Sequence, residues 1–429
     1  MRTAKGGMGR IMKTVGIIAE YNPFHNGHLY QMQQAKKLSG ADYVIVVLSG
    51  NFTQRGTPAI LDKFARCETA LLGGADAVFE LPVCFATGSA EYFARGAVAL
   101  LDGLHVDALC FGSECGDIHA LSRAAAILAK EPAVYKKFLK ENLHRGLSFP
   151  AARSHAMAQY SVSVSEDAKD IIPKDLLRTP NNILGIEYLK ALYRRQSTME
   201  TYTLPRKGAG YSDTALQKGA FASAMALRKK LFGDADFELL SSFLPESSLH
   251  VLKRELLPGY PVSMDDFSSM LFYRLLSLQK EGFTSYMDVS KALSDKICRH
   301  LCRYQSATRF GEQILKSKDL TQTRISRSLL HILLSITKKD MENFAAKGDA
   351  LYARLLGFRK SSEALLGHLS KGSIPLLSKL ADADKLLSPL GIQMLSHDIF
   401  ASHLYDSIPA QKTGRPIQNE YSRQIVILP

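Results

Sequence analysis

Glu20-Tyr21-Asn22-Pro23-Phe24-His25-Asn26-Gly27-His28 is the stretch on which the reading of this chain turns. It follows the first apolar run, Thr14 to Ala19, and opens a segment of helical character, Gly27 to Leu38. A strand feeding a helix through a short loop leaves free N–H groups and the positive end of the helix dipole at the junction, a ready anion site. Gly27 lets the backbone approach a phosphate with no Cβ in the way. His25 and His28, three residues apart, project to nearly the same side of the first turn. They are placed to donate hydrogen bonds to phosphate oxygens as charge builds in a transition state, so no nucleophilic side chain is required. Zinc is the rival reading of the two imidazoles, but the pair has no third ligand at metal spacing.

The same alternation continues outward. Asp42 to Leu48 is a β-branched run of the kind buried on both faces of a sheet. Ile60 to Leu72 is helical and stops at Gly73-Gly74. Ala75 to Leu81 is a third strand, halted by Pro82; Ser89 to Leu101 is a helix with Ser89 as N-cap; Val106 to Phe111 is a fourth strand, ending at Gly112-Ser113. Alternating strands and helices predict an α/β fold, a Rossmann-like doubly wound parallel sheet whose ligand sits beyond the carboxyl ends of its strands. That places the loops 20–28, 49–58, 82–88 and 112–116 around one crevice.

Residues 117–200 read as mainly helical, with Pro180-Asn181-Asn182 starting a helix over Ile183 to Arg194. Met199 to Leu204 is one more strand, leading into the basic, glycine-rich Pro205 to Tyr211 and a helix, Phe221 to Leu231. After about 245 strand-like runs nearly vanish, and helices are expected at 264–280, 289–303, 320–338 and 343–357. We therefore expect a nucleotide-binding domain over 12–240 and a mainly α-helical domain over 241–429, with the basic, glycine-rich residues 1–11 as an extension outside the fold.

Composition narrows the class. With 46% hydrophobic and 22% charged residues the chain has the balance of a folded protein, not of a disordered one. No apolar run reaches the roughly 18 residues needed to span a bilayer. No signal-peptide core follows the N-terminus, so a cytoplasmic protein is expected. The six cysteines show neither a disulfide framework nor zinc spacing and read as buried thiols. A net charge of +13 attracts polyanions.

Beyond these physical signals the residues resemble a family. His25-Asn26-Gly27-His28 looks like the HIGH motif of nucleotidyltransferases and class I aminoacyl-tRNA synthetases. Val15 to His28 as a whole is similar to the bacterial tRNA(Met) cytidine acetate ligase family. Leu48 to Gly56, Glu80-Leu81-Pro82, Leu109 to Glu114, Pro180 to Gly185 and Arg206 to Tyr211 agree with it, and the likeness is strong over about 12–230.

The resemblance implies a two-step ligase. ATP and acetate give acetyl-adenylate, and the acetyl group then passes to N4 of the wobble cytidine of elongator tRNA(Met). It implies that Ile18 to Gln31, that is Ile18, Ala19, Glu20, Tyr21, Asn22, Pro23, Phe24, His25, Asn26, Gly27, His28, Leu29, Tyr30 and Gln31, hold ATP. Gly112, Asn181, Asn182, Arg206 and Lys207 are expected beside the nucleotide, and His25, His28 and Arg228 to serve catalysis. Arg228 lies in Ser223-Ala224-Met225-Ala226-Leu227-Arg228, which departs from the family's second phosphate-binding element by placing Met225 where Ser or Thr is usual. Magnesium is expected from the phosphate chemistry, although no carboxylate cluster offers to bind it.

Lys63 and Arg66 read either as an ion-pair cluster or as contacts to phosphate or tRNA. Arg299, Arg303, Tyr304, Arg309, Phe310, Lys316, Lys318, Arg324 and Arg327 suit an RNA-gripping face or solvated helices. The rivals to the tRNA reading are a small-molecule adenylyltransferase, an acetate ligase acting on a protein-bound thiol, and a non-catalytic RNA-binding protein.

Overall fold

The computed structural model describes residues 12–164, 171–206, 221–234, 236–256, 261–315 and 320–429. The first half runs β1 (Thr14–Ala19), α1 (Asn26–Ser39), β2 (Tyr43–Ser49), α2 (Lys63–Leu72), β3 (Ala77–Leu81), the short α3 (Val83–Ala86), α4 (Ala90–Gly103) and β4 (Ala108–Ser113). It continues with α5 (Ile118–Lys130), α6 (Ala133–His144), α7 (Phe149–Val164), α8 (Pro180–Arg195), β5 (Glu200–Pro205) and α9 (Ala224–Phe232). The strands lie in the order β5-β4-β1-β2-β3, all parallel, with Gly16 of β1 beside Ile45 of β2 and Val15 beside Ala108 of β4. The chain winds one way from β1 through β3 and the other way through β4 and β5. The switch point is therefore the β1–β4 boundary, where such sheets bind ligands.

β2 shows why its residues form a central strand. Val44, Val46 and Leu48 face a core shared with Met32 and Ala35 of α1 and Phe64 and Leu71 of α2. Ile45 and Val47 face the other core, with Phe93, Ala97 and Leu101 of α4. Both faces are dry, so every position is apolar. Local signals set most helix starts. Asp62 accepts a hydrogen bond from the Ala65 amide at 2.7 Å, which begins α2 at Lys63 and not at the expected Ile60. Ser223 caps Ala226 in the same way and begins α9 three residues later than expected. Ser89 occupies the N-cap position of α4, yet its side chain makes no capping hydrogen bond.

The C-terminal half is mainly helical but is not strand-free. Where a helix was expected over 343–357, the helix Lys338–Ala345 ends and the chain turns through Gly348 and Asp349, both at positive φ. It then forms β6 (Ala353–Arg359), antiparallel to β3. Two short strands, β7 (Leu376–Leu377) and β8 (Val426–Leu428), pair with β6, so one sheet spans both halves.

Lys63 and Arg66 take the structural of their two readings. Lys63 Nζ lies 2.9 Å from Glu80 and 3.0 Å from Glu420, and donates to Ser402 at 2.8 Å, all buried. Arg354 of β6 joins Glu80 and Glu420 in the same cluster. Arg66 donates to the backbone carbonyls of Glu20, Ser49 and Gly50, tying the carboxyl end of β2 to the loop that follows β1. Asp76 accepts from the Val44 amide at 2.7 Å, as a strand-start cap does.

Candidate active site

The N-terminus of α1 is closed by its own histidines. His25 is the N-cap, and its Nδ1 accepts from the Gly27 amide at 3.1 Å, while His28 Nδ1 accepts from the His25 amide at 3.3 Å. The rings stack with centroids 3.6 Å apart. Because both Nδ1 atoms accept, each neutral ring carries its proton on Nε2. Burial lowers the His25 imidazole to about 3, with Arg206 and Arg228 adding to the effect. Burial, His25 and Arg206 hold His28 well below the usual histidine value. Two uncharged Nε2–H donors at the positive end of a helix are thus preset for an anion. Gly27 is required by this arrangement, since a Cβ there would lie 2.9 Å from His25 Cε1.

The sign of the pH response follows. With folded pKa values below the unfolded value of about 6.5, the histidines favour the folded state above that pH. The unfolded chain gains protons first as pH falls. In the nucleotide-free protein we expect both imidazoles to remain in the neutral Nε2–H form from pH 8 down to pH 5. ¹⁵N NMR of the ring nitrogens checks this, and an ordinary histidine titration would contradict it.

A cavity of about 230 Å³ opens in front of these rings. Of the expected residues, Ile18, Ala19, Glu20, Tyr21, Asn22, His25, Gly27, His28, Tyr30, Gln31, Gly112, Asn181, Arg206 and Arg228 line it. Pro23, Phe24, Asn26, Leu29 and Asn182 are not among the lining residues, and Lys207 lies outside the described residues. Phe24 is buried against Tyr21, with ring centroids 4.8 Å apart, and serves packing. Asn26 donates from its side chain to the Ser242 carbonyl. Asn182 points its carbonyl oxygen at the Glu114 and Cys115 amides, at 3.0 and 3.1 Å, and so shapes the 112–116 loop. The N-terminus of α8 is already served by the Glu114 carboxylate, which accepts from the Asn181 and Asn182 amides. Asn181 remains in the cavity wall, where its carbonyl oxygen takes a hydrogen bond from Arg206 at 3.2 Å. Arg228 donates to the Asn22 carbonyl at 2.7 Å, so α9 is pinned to the histidine loop.

The description "HIGH Nucleotidyl Transferase" belongs to the family model that matches residues 12–420. A protein of Acetivibrio thermocellus named tRNA(Met) cytidine acetate ligase is 39% identical, covering 97% of this chain and all of its own. One of the same name from Caldanaerobacter subterraneus is 41% identical over 92% of this chain and 95% of its own.

The chain belongs to the tRNA(Met) cytidine acetate ligase family.

Solved structures agree on the family's architecture. Thermotoga maritima TmcAL in its apo form superposes with a TM-score of 0.89 at 34% identity, covering 97% of this chain and 100% of that one. The same protein bound with alpha-thio ATP gives 0.87 at 33% identity, with the same coverage. The fold class read from the sequence, a HIGH-type α/β sheet followed by helices, is the family's fold.

Sequence reasoning passed over part of the wall. Phe93 of α4, Phe111 at the end of β4, and Leu184 and Tyr188 of α8 give the cavity an apolar side. Nothing in their spacing separates them from ordinary core residues. The loop 82–88 was expected at the crevice, but its Val83, Cys84, Phe85 and Ala86 are buried in a short helix, and none of 82–88 lines the cavity. Gln54 and Arg55 do line it, as the placing of loop 49–58 implied. In the helical half, Phe310 is fully buried and offers no face to a base, while the half-buried Tyr304 donates to the Ser268 carbonyl and packs its ring on Phe272 and Phe310. Arg327 pairs with Asp288, whereas Arg299, Arg303 and Arg309 are exposed. Lys316 and Lys318 lie outside the described residues. No helix among the described residues is long and apolar enough to cross a membrane.

Gly112 gives a clean test of where the nucleotide lies. A Cβ there would meet only Arg206 Cγ at 3.5 Å and the Leu204 carbonyl at 3.9 Å, ordinary contacts. Gly112→Ala is therefore expected to fold with an unchanged melting temperature and to raise the KM for ATP about tenfold, as a displaced ligand requires. Equal KM values would remove Gly112 from the nucleotide's path.

Proposed function

We propose that the chain is an ATP-dependent ligase that activates acetate as acetyl-adenylate and acetylates N4 of the wobble cytidine of elongator tRNA(Met). The observation that carries this reading is the stacked pair of neutral histidines at the α1 N-terminus, facing a cavity shared with Arg206 and Arg228. In the first step an acetate oxygen attacks the α-phosphorus of ATP and pyrophosphate leaves. The Nε2–H groups of His25 and His28 and the Arg228 guanidinium take up the charge developing on the phosphate oxygens. Arg206, steadied by Asn181, holds the nucleotide from the β5 side. In the second step the cytidine amine attacks the acetyl carbon and AMP leaves.

Magnesium does not fit a protein cage here. Among the described residues no group of three His, Cys, Asp or Glu side chains could hold a metal. Glu20, the one carboxylate among the described residues lining the cavity, already accepts the Gln54 amide. A magnesium ion would therefore arrive on the triphosphate, held by phosphate oxygens and water, while the chain's own donors face the remaining phosphate charge. We further propose that residues 12–240 handle the nucleotide, that 241–429 contribute to gripping the tRNA through exposed cations such as Arg299, Arg303 and Arg309, and that the enzyme works in the cytoplasm.

The relatives share the name of such a ligase and match 92–97% of this chain, which favours this reading over a small-molecule adenylyltransferase. ATP–pyrophosphate exchange separates them. Exchange driven by acetate, and not by nicotinamide mononucleotide or phosphopantetheine, is the result expected. Exchange driven by either of the latter would move the chain to the rival class.

A further inference from the structure

Glu20 is an anomaly in a site built for a triphosphate. The cavity carries Arg55, Arg206, Arg228 and two imidazoles, and among its described lining residues Glu20 is the only carboxylate. A carboxylate near bound phosphates repels them, and the repulsion is strong in a partly dry cavity.

Its position is fixed from two directions. Arg66, buried, donates to the Glu20 carbonyl at 2.8 Å while holding the Ser49 and Gly50 carbonyls. Glu20 Oε1 accepts the Gln54 amide at 2.8 Å. Glu20 follows β1 directly and lines the same cavity as the apolar side chains and the histidine loop. On the apolar side Phe111 and Tyr188 lie with ring centroids 5.7 Å apart, next to Leu184 and Phe93. The Tyr188 phenol is pushed well up by burial and then by the charge of Glu20, which puts the two within electrostatic reach. The cavity therefore joins three features: anion donors, an apolar wall and one preset hydrogen-bond acceptor.

We propose that Glu20 receives the acceptor base in the second half-reaction, its second carboxylate oxygen accepting the exocyclic amine of a pyrimidine seated against the Phe111–Tyr188 wall and then taking the proton that the amine loses. This rests on the functional reading above. A Glu accepting from cytosine N4 is a known base-edge pairing, and apolar and aromatic side chains seat unpaired bases. In the step itself N4 uses its electron pair to form the bond to the acetyl carbon. The bond from that carbon to the phosphate oxygen breaks, with its pair leaving on AMP. One N4 proton passes to Glu20 and then to solvent.

Glu20→Gln decides the matter, because its side-chain oxygen still accepts the Gln54 amide while the base is gone. Glu20 lines the nucleotide cavity, so acetate-dependent ATP–pyrophosphate exchange is expected to fall, but less than about tenfold. Single-turnover transfer of acetyl from enzyme-bound adenylate to tRNA is expected to fall about 10²–10⁴-fold, and to lose the acid limb of its pH profile. A Gln variant that matches wild type in both half-reactions would reduce Glu20 to a buttress of the 49–56 loop and overturn the proposal. Equal loss of exchange and transfer would also overturn it, by assigning Glu20 to ATP or acetate. A wild-type enzyme that makes adenylate yet acetylates no tRNA would overturn the functional reading first, and this assignment with it.

Discussion

Replacing His28 with alanine is expected to lower acetate-dependent ATP–pyrophosphate exchange about 10²–10³-fold, the usual cost of losing one preset donor to a developing oxyanion. The loss should fall on kcat more than on the KM for ATP, because the donor is most valuable where charge builds up. His25→Ala is expected to do similar damage for two reasons. It removes a donor, and it frees the Gly27 amide that His25 Nδ1 now accepts. The rings stack at 3.6 Å and share one hydrogen-bonded turn, so the double variant should cost little more than either single one. A folded His28→Ala protein with near-normal exchange would remove the histidines from the chemistry.

The second large effect concerns stability. Lys63→Met is expected to destabilise the fold by about 3–5 kcal/mol, because it leaves buried carboxylates short of a cation. Glu80 and Glu420 would then depend on Arg354 alone. The cluster joins α2, β3, β6 and the segment around Glu420, so its loss should loosen the C-terminal half from the sheet. Urea unfolding midpoints measure the effect. The companion Glu420→Gln should restore part of the loss when combined with Lys63→Met, since it removes the stranded charge. An unchanged midpoint would show that the cluster adds nothing.

The same cluster sets an acid limit. Burial alone would raise the Glu420 carboxyl, but Lys63 and Arg354 hold it down at about 2, against 4.5 for a free one. Its contribution is therefore complete above pH 4.5 and is lost as pH falls toward 2.

What could be read in the sequence, and what could not, follows from the range of each interaction. The β1–α1 junction was legible because its signals are local: an apolar strand, a glycine where no Cβ fits, and two imidazoles one turn apart. β2 was legible because a strand buried on both faces carries nothing but apolar side chains. β6 was not, because Ala353 to Phe358 is a short buried run whose partner β3 lies far back in the chain, and a buried run has the same composition in either conformation. Asn182 was expected at the nucleotide because it opens α8, yet that helix end is occupied by Glu114, a residue 68 positions away whose reach no local pattern reveals. Phe310 looked like a stacking platform for a base, and its burial in the helical core is a tertiary fact. Met225 stands where the family's phosphate-binding pattern usually has a hydroxyl, and the cap of α9 comes from Ser223.

The central claim is that this cavity makes acetyl-adenylate for a tRNA cytidine. Incubation with radiolabelled acetate and bulk bacterial tRNA, with and without ATP, tests it most directly. The expected result is ATP-dependent label on elongator tRNA(Met), recovered after digestion as N4-acetylcytidine, with one AMP formed per acetyl group. AMP formation with acetate but no label on any tRNA would contradict the claim and point to a different acyl acceptor.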